Sequence, residues 1–196
     1  MPIPYNFGNH NDDEIFDMYF FCLLFLVSFY TESQSYDYTI EVKISEQKLY
    51  LLDGKDIIKT YPVSTSKYGI GNRIKSYKTP LGSHRIAKKV GTGAPVGAIF
   101  DGKRRYTGQI AKIYTDNTEL EKNFELTRIL WLEGMEKGVN KGKGIDSYHR
   151  LIYIHGTAEE GLIGTPASIG CIRMKNNDVI ELFDMVSVGT FVEIRE

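Results

Sequence analysis

An unbroken alternation of apolar and polar side chains runs through residues 38–44, YTIEVKI, and it predicts a half-buried β-strand. Residues 48–52 and 55–63 have strand composition on either side of an Asp-Gly pair, which predicts a hairpin. The nineteen glycines and thirteen tyrosines of the 196-residue chain favour strands and turns over helices. The chain is therefore expected to fold as a mainly β domain.

Four further segments have strand composition, and long glycine-rich loops separate them. These segments are residues 84–90, 125–134, 150–154 and 190–194, of which 125–134 is equally compatible with a short helix. One helix is predicted near the C-terminus, where the capping side chains of Asn176, Asn177 and Asp178 precede an apolar face. That face consists of Val179, Ile180, Leu182, Phe183 and Val186.

An apolar, uncharged run lies near the N-terminus at residues 18–30, and Ser33 and Ser35 follow it at positions −3 and −1 of a cut after Ser35. Such a run is short for a bilayer span but matches the apolar region of a signal peptide. The acidic residues before it argue against export, and a buried strand or helix is the alternative. We expect residues 1–35 to be a signal or anchor segment that makes the only membrane contact. Residues 36–196 are then an exported domain of the periplasm or cell envelope.

Charge is distributed unevenly along the chain. Residues 1–35 contain five acidic and no basic side chains, so the remainder carries 24 basic and 20 acidic ones. A mildly basic domain suits an anionic polymer. No dense Lys/Arg run indicates nucleic acid, and the glycines of residues 91–93 lack the Gly-Lys-Ser/Thr ending of a phosphate loop. We expect no nucleic-acid partner and no cofactor.

The stretch TPASIGCIRM contains Cys171, one of two cysteines in the chain. Removal of the leader would remove Cys22 as well, and no intramolecular disulfide could then form. A lone thiol in an oxidising compartment suggests a use, such as that of a nucleophile. His155 ends an expected strand and is the best candidate base, and the carbonyl of Gly156 could orient its imidazole.

Other groups near Cys171 fit the same chemistry. The N-terminus of the expected helix would favour the thiolate, the amides of Gly170 and Cys171 could donate to an oxyanion, and Arg173 could hold a carboxylate. Each group has an ordinary alternative: a buried apolar cysteine, a structural histidine and a solvated arginine. Zinc is a further alternative, although no pair of candidate ligands has the close spacing of a structural site, and we expect no metal. Those candidates are His84, His149, His155 and Cys171.

Two motifs together, IHGT at residues 154–157 and SIGCIRM at residues 168–174, resemble the catalytic domain of L,D-transpeptidases of the YkuD type. The similarity covers roughly residues 38–195. It implies a single mainly β domain, sandwich-like or barrel-like, with one C-terminal helix near the cysteine. It also implies an enzyme that cuts the amide between a diamino acid and the terminal D-alanine of a peptidoglycan tetrapeptide stem. The acyl group then passes to a second stem, giving a 3→3 cross-link, or to water or another amine.

By position, the resemblance makes Cys171 the nucleophile, His155 the base, the Gly156 carbonyl its orienting partner and Arg173 a substrate-binding residue. A carbapenem is then expected to acylate Cys171. Sortase-type transpeptidases differ in the spacing of the same residue types, and papain-like enzymes place the cysteine before the histidine.

The resemblance assigns Ser168, Ile169 and Gly170 to the substrate-binding and oxyanion segment. Ile169 departs from the family, which usually has histidine there, and isoleucine neither titrates nor donates a hydrogen bond. The alternatives are therefore a binding-only cell-wall protein with a degenerate site, an L,D-carboxypeptidase, or an enzyme that attaches lipoproteins.

Overall fold

A computed structural model describes residues 37–122 and 124–196, together with residues 1, 2 and 4. The expected leader, with its apolar run and Cys22, lies outside the described residues. The chain divides into two units between Tyr36 and Asp37, and every element below belongs to the second. None of the helices formed by the described residues is long and apolar enough to cross a bilayer.

Ten strands and one α-helix form this part of the chain, which confirms the mainly β fold with one C-terminal helix. The strands are β1 (Tyr38–Lys43), β2 (Lys48–Asp53), β3 (Asp56–Pro62), β4 (Gly82–Val90), β5 (Ala98–Phe100), β6 (Tyr106–Ile110), β7 (Leu126–Gly134), β8 (Tyr153–Gly156), β9 (Ile172–Met174) and β10 (Phe191–Arg195). The helix α1 spans Asn176–Met185, and a short 3₁₀ turn spans Glu160–Leu162.

The sheet curls until its two ends meet. Its strands follow the order β3-β2-β1-β10-β4-β7, and β8 and β9 continue from β7. Ser64, just beyond β3, then bridges Arg173 in β9 through two backbone hydrogen bonds of 2.9 Å. This bridge closes the barrel-like arrangement, and β5 and β6 branch from the start of β7 through the pair Ile99 and Leu126.

Two apolar clusters lie on opposite faces of β8 and β9. The larger one fills the barrel with alternate residues of its strands and with Val179, Leu182 and Phe183 of α1, which packs against β7 and β8. The smaller one consists of four buried residues, and Cys171 packs against its margin. Those four are Ala98, Phe100, Ile129 and Tyr153.

Several expected elements differ in detail from the structure. Residues 125–134 form strand β7 rather than a helix. The strand expected at residues 150–154 begins only at Tyr153, because Leu151 adopts the left-handed backbone conformation, with φ +60°, which lies outside the extended region of a regular strand. The strands expected at 38–44, 84–90 and 190–194 are confirmed to within one or two residues.

The N-terminus of α1 is capped differently from the sequence prediction. Lys175 is the N-cap residue and makes no side-chain capping bond. Glu160, from the preceding 3₁₀ turn, instead accepts the backbone N–H of Asn176 at 2.7 Å. The Asn176 side chain is buried and donates to the carbonyl of Thr157 and to Glu160. A distant carboxylate therefore replaces the local cap that the Asn-Asn-Asp sequence predicted.

Candidate active site

The parallel pairing of β8 with β9 brings the two sequence motifs together. Ile154 pairs with Ile172, and His155 pairs with Arg173. Because neighbouring strand residues alternate between faces and paired residues share one, Ile154 and Ile172 point into the barrel core. His155, Arg173 and Cys171, which directly precedes β9, are placed on the opposite face.

His155 is buried and its ring is held by the backbone. Its Nδ1 lies 2.7 Å from the carbonyl oxygen of Gly156, the partner expected from the sequence. A carbonyl only accepts, so Nδ1 carries the proton and Nε2 is left as the basic nitrogen. Burial lowers the pKa of His155, which keeps the imidazole neutral near pH 7 and able to accept a proton.

Cys171 is partly buried at the margin of the smaller apolar cluster. Its Sγ donates a hydrogen bond to the carbonyl of Leu151 at 3.4 Å. Burial raises the pKa of the thiol, and the Glu125 carboxylate raises it further, whereas a hydrogen bond from the Tyr153 amide lowers it. In the absence of substrate, the structure therefore favours a neutral thiol beside a neutral imidazole.

The expectation that the helix N-terminus stabilises the Cys171 thiolate does not agree with the structure. β9 separates the cysteine from α1, whose first turn begins at Asn176 and whose leading amide is taken by Glu160. The macrodipole acts within about one helical turn, so it does not account for thiolate formation at Cys171.

Arg173 is buried rather than exposed to solvent. Only 2% of its surface is accessible, and its guanidinium donates to the buried carboxylate of Glu159. Glu159 also accepts the backbone N–H of Leu120, which fixes the carboxylate from a second side. The positive charge of Arg173 helps to lower the pKa values of His155 and Cys171. Direct capture of a substrate carboxylate by Arg173 has no geometric support here.

Ser168 and Gly170 shape the loop that carries the cysteine. Ser168 Oγ donates to the carbonyl of Cys171 at 2.6 Å and accepts the N–H of Gly170 at 3.2 Å. Gly170 has φ +129°, a conformation that a side chain would strain, and its carbonyl accepts a hydrogen bond from Thr79. The Gly170 amide is therefore turned to Ser168, contrary to its expected role as an oxyanion donor. Ile169 is 45% exposed between these two residues.

Gly156 is confined by its surroundings. A Cβ built on it would overlap Asn176 Oδ1 and would lie 2.9 Å from the carbonyl oxygen of Leu126. A bulge in β7 between Leu126 and Ile129 produces this close approach, and Thr127 within it has φ +67°. A positive φ at a β-branched residue is strained, and such strain is often found beside functional groups.

The sequence did not indicate that Arg104, Glu125 and Tyr153 contribute to the site. Arg104 donates from Nε and Nη2 to the hydroxyl of Tyr153, at 3.0 and 2.8 Å, and its Nη2 lies 3.7 Å from Glu125. The charges of Arg104 and Glu125 act on both His155 and Cys171. Their chain positions belong to no motif, and only the register of β7, β8 and the β5–β6 branch brings them together.

The candidate zinc ligands have separate surroundings. His84 is buried and bonded to Ser147 and the Gly82 carbonyl, whereas His149 lies at the surface beside Asp146. Within residues 37–122 and 124–196, no group of three His, Cys, Asp or Glu side chains is arranged to hold a metal ion.

Comparison with known proteins gives a family match over most of the chain. The model of the YkuD family, described as the L,D-transpeptidase catalytic domain, matches residues 37–194. Bacillus subtilis YqjB, whose name assigns it to the L,D-transpeptidases, is 46% identical over 54 residues, which are 28% of this chain and 30% of that protein. Salmonella typhimurium ErfK/SrfK, named likewise, is 53% identical over 45 residues, or 23% of this chain and 15% of the relative.

Solved structures share the fold at low sequence identity. L,D-transpeptidase 3 from Mycobacterium tuberculosis, in complex with a faropenem-derived adduct, superimposes with a TM-score of 0.50 and 16% identity over 82% of this chain and 60% of that one. LD transpeptidase LdtMt1 in complex with imipenem gives 0.50 and 18% over 81% of this chain and 59% of that one. The chain spans less than two thirds of the length of all four proteins. Because the family model covers residues 37–194, the chain belongs to the YkuD family of L,D-transpeptidase catalytic domains.

Proposed function

We propose that this chain is a cysteine-dependent L,D-transpeptidase that acts on peptidoglycan tetrapeptide stems. One observation carries the proposal: the β8–β9 register places Cys171 on the same face as His155, whose Nδ1 is fixed on the Gly156 carbonyl. A nucleophile, a base and a group that orients the base are the minimum that covalent acyl transfer requires. Family membership supports the choice of substrate class.

Acylation begins with proton transfer from the Cys171 thiol to Nε2 of His155. The thiolate adds to the carbonyl carbon of the amide between the diamino acid and D-alanine. The tetrahedral intermediate then collapses as the C–N bond breaks and the imidazolium returns the proton to the leaving amine. D-Alanine departs, and the tripeptide stem remains as a thioester on Cys171.

Transfer repeats these steps in reverse with a second amine. The acceptor amine loses a proton to His155 Nε2 and attacks the thioester carbonyl, and the thiol of Cys171 is released as the new amide forms. With another stem as acceptor the product is a 3→3 cross-link, and with water it is a tripeptide acid. The same site therefore accommodates transpeptidase and L,D-carboxypeptidase turnover.

The resting state of the pair has a consequence for catalysis. Burial disfavours both the thiolate and the imidazolium, so a preformed ion pair is not the ground state. The hydrogen bond from the Tyr153 amide and the positive charge of Arg173 lower the pKa of the thiol as the proton moves. Proton transfer is then coupled to substrate binding, which protects a lone thiol from oxidation between turnovers.

The proposed substrate lies outside the cytoplasmic membrane, so the proposal includes export of the domain. Residues 1–35 would act as the signal or anchor segment, and residues 36–196 as the catalytic domain. Mass spectrometry of the mature protein from envelope fractions tests this point. An N-terminus near residue 36 supports it, and full-length protein confined to the cytoplasm contradicts it.

The decisive experiment incubates the purified protein with a disaccharide-tetrapeptide and follows the products by mass spectrometry. We expect loss of D-alanine together with cross-linked dimers, or with the tripeptide acid when no acceptor is present. The Cys171→Ala variant should bind the stem without releasing D-alanine. If the wild type binds the stem but releases nothing, while a related enzyme turns it over, the binding-only alternative replaces the proposal.

A carbapenem provides an independent test of the nucleophile. The solved relative bound to imipenem makes the β-lactam carbonyl a suitable probe. We expect one covalent adduct per chain on the wild type and none on Cys171→Ala. An adduct of unchanged yield on that variant would assign the nucleophile elsewhere. Ile169→His, measured in the stem assay, shows whether the departure from the family motif affects the rate.

A further inference from the structure

An open depression lies beside the smaller apolar cluster, against which Cys171 packs. Its volume is about 370 Å³, and it is lined by the glycine-containing loop of residues 90–95 with Phe100, Arg104 and Tyr106. Phe100 belongs to the same apolar cluster as Tyr153, against which Cys171 packs. The depression and Cys171 therefore border the same apolar cluster.

Arg104 is the cationic residue of the lining, and the protein holds it in one orientation. Its guanidinium lies 4.7 Å from the centre of the Tyr153 ring, bonds the Tyr153 hydroxyl, and donates from Nη1 to the Asp101 carbonyl at 3.1 Å. Three of its five N–H bonds thus have partners within hydrogen-bonding distance among the described residues, which leaves one on each terminal nitrogen. This fork is preorganised for a carboxylate.

Because Arg173 is paired with Glu159 in the interior, Arg104 is the arginine that lines the open depression. The sequence suggested Arg173 as the carboxylate-binding residue, but its guanidinium forms an ion pair with the buried Glu159 carboxylate. Arg104 instead lines the open depression with 11% of its side chain exposed, and its nearest counter-charge, Glu125, is 3.7 Å away and 27% exposed. Because 3.7 Å is too long for a hydrogen bond, Glu125 leaves the remaining N–H groups of Arg104 available to a substrate carboxylate.

We propose that Arg104 binds the terminal carboxylate of the residue that leaves in the acylation step, and so selects stems that end one residue after the scissile bond. This inference rests on the proposed function. The terminal carboxyl carbon of the leaving residue lies within ~4 Å of the scissile carbonyl carbon, so its binding group must lie near Cys171. The charge of Arg104 does act on the Cys171 thiol. Tyr153, whose hydroxyl accepts hydrogen bonds from Arg104, lies two residues before His155. Cys171 lies two residues before Arg173, the register partner of His155, so the Tyr153 ring and the thiol are neighbours on one face.

The test compares a tetrapeptide stem with a free terminal carboxylate and the same stem ending in D-alaninamide. For the wild type we expect kcat/KM to be roughly 10- to 100-fold higher with the free acid, the range of a charge-assisted hydrogen bond. Arg104→Gln should remove this preference by lowering the value for the acid and changing the amide less than about threefold. Arg104→Lys should give an intermediate preference, because it keeps the charge but loses the fork.

Arg105→Gln is the matched control, because Arg105 is adjacent in the chain but exposed and paired with Asp101. This variant should keep the wild-type preference. Equal turnover of acid and amide by the wild type would overturn the proposal. An equal loss of activity on both stems in Arg104→Gln would do the same, since it would assign Arg104 a purely structural role.

A separate measurement distinguishes failure of this inference from failure of the proposed function. Calorimetry with Cys171→Ala measures stem binding without turnover, and the free acid should bind more tightly than the amide. If the wild type turns over neither stem but this preference is found, the reaction is wrong and the carboxylate site stands. If acid and amide bind equally, the carboxylate site is wrong whatever the reaction.

Discussion

His155 and Arg173 are register partners in the parallel pair β8–β9, although seventeen other residues separate them in the chain. This pairing fixes the distance between the two halves of the motif by backbone hydrogen bonds rather than by side chains. Cys171 reaches the face of His155 because it lies two residues before Arg173, one full period of the strand. The sheet therefore positions His155 and Cys171 relative to each other through its backbone pairing.

Glu125→Gln should move the pH profile of the reaction toward lower pH. The Glu125 carboxylate raises the pKa of both His155 and Cys171. Removing its charge lowers both pKa values, so the base is neutral and the thiolate accessible at a lower pH than in the wild type. The measurement is kcat/KM for D-alanine release between about pH 3 and 9, a range that includes the region near 4 to which burial lowers the pKa of His155. Glu121→Gln, an exposed neighbour, should leave the profile unchanged, and an unshifted acidic limb in Glu125→Gln would contradict the prediction.

Glu159→Gln should destabilise the fold strongly. The substitution leaves the buried guanidinium of Arg173 without its carboxylate, and breaking one partner of a buried ion pair costs about 3–5 kcal/mol. Urea unfolding followed by circular dichroism measures the loss. Glu119→Gln removes an exposed carboxylate 3.7 Å from Lys67 and should change the free energy of unfolding by less than about 1 kcal/mol. Similar losses in both variants would show that the buried ion pair stabilises the fold no more than the exposed one does.

Local patterns predicted seven of the ten strands among the described residues, but not the short strands β5, β6 and β9. Alternation predicted β1, and the family resemblance of the two motifs predicted that Cys171 and His155 would be paired in one site. The sequence did not predict the ion pair between Arg173 and Glu159, because a solvated arginine and a buried one have the same local sequence. The pair exists only because the chain between β8 and β9 turns back toward the sheet.

The other features that the sequence did not predict also depend on the local backbone and on contacts between distant residues. Arg104 lies between β5 and β6, and Glu125 directly precedes β7, so their contact depends on how this branch joins the start of β7 beside its bulge. Hydrophobic periodicity in the sequence does not predict such a bulge. The start of β8 was misplaced because RLIYI is uniformly strand-like, whereas Leu151 turns with a positive φ and presents its carbonyl to the thiol of Cys171.

Gly156→Ala should destabilise the protein by about 1–3 kcal/mol, the usual range for overpacking. The new methyl group would overlap Asn176 Oδ1 and lie 2.9 Å from a backbone carbonyl, and the latter cannot move without disturbing β7. Because the Gly156 carbonyl also holds the His155 ring, kcat should fall as well. Gly102→Ala is the control, since a methyl group at that position would meet no atom within 4 Å and the substitution should be nearly neutral. Thermal denaturation and the stem assay, run on both variants, compare these outcomes.

His84 should make the fold sensitive to acid independently of the active site. Burial lowers its pKa from 6.5 to about 4, and its ring is held neutral between the Gly82 carbonyl and Ser147. Between these two pH values the unfolded chain binds a proton that the folded chain does not, so stability is complete above pH 6.5 and falls as the pH drops toward 4. A difference of that size corresponds to about 3 kcal/mol.

Urea unfolding of the wild type and of His84→Gln at pH 7 and at pH 4.5 measures this contribution. The variant should be less stable than the wild type at pH 7, because it replaces a buried ring whose two nitrogens are both bonded. It should nevertheless lose about 2–3 kcal/mol less than the wild type between the two pH values, since glutamine does not titrate. Parallel losses in the two proteins would assign the acid sensitivity to other groups, of which buried His155 is the first candidate because burial lowers its pKa as well.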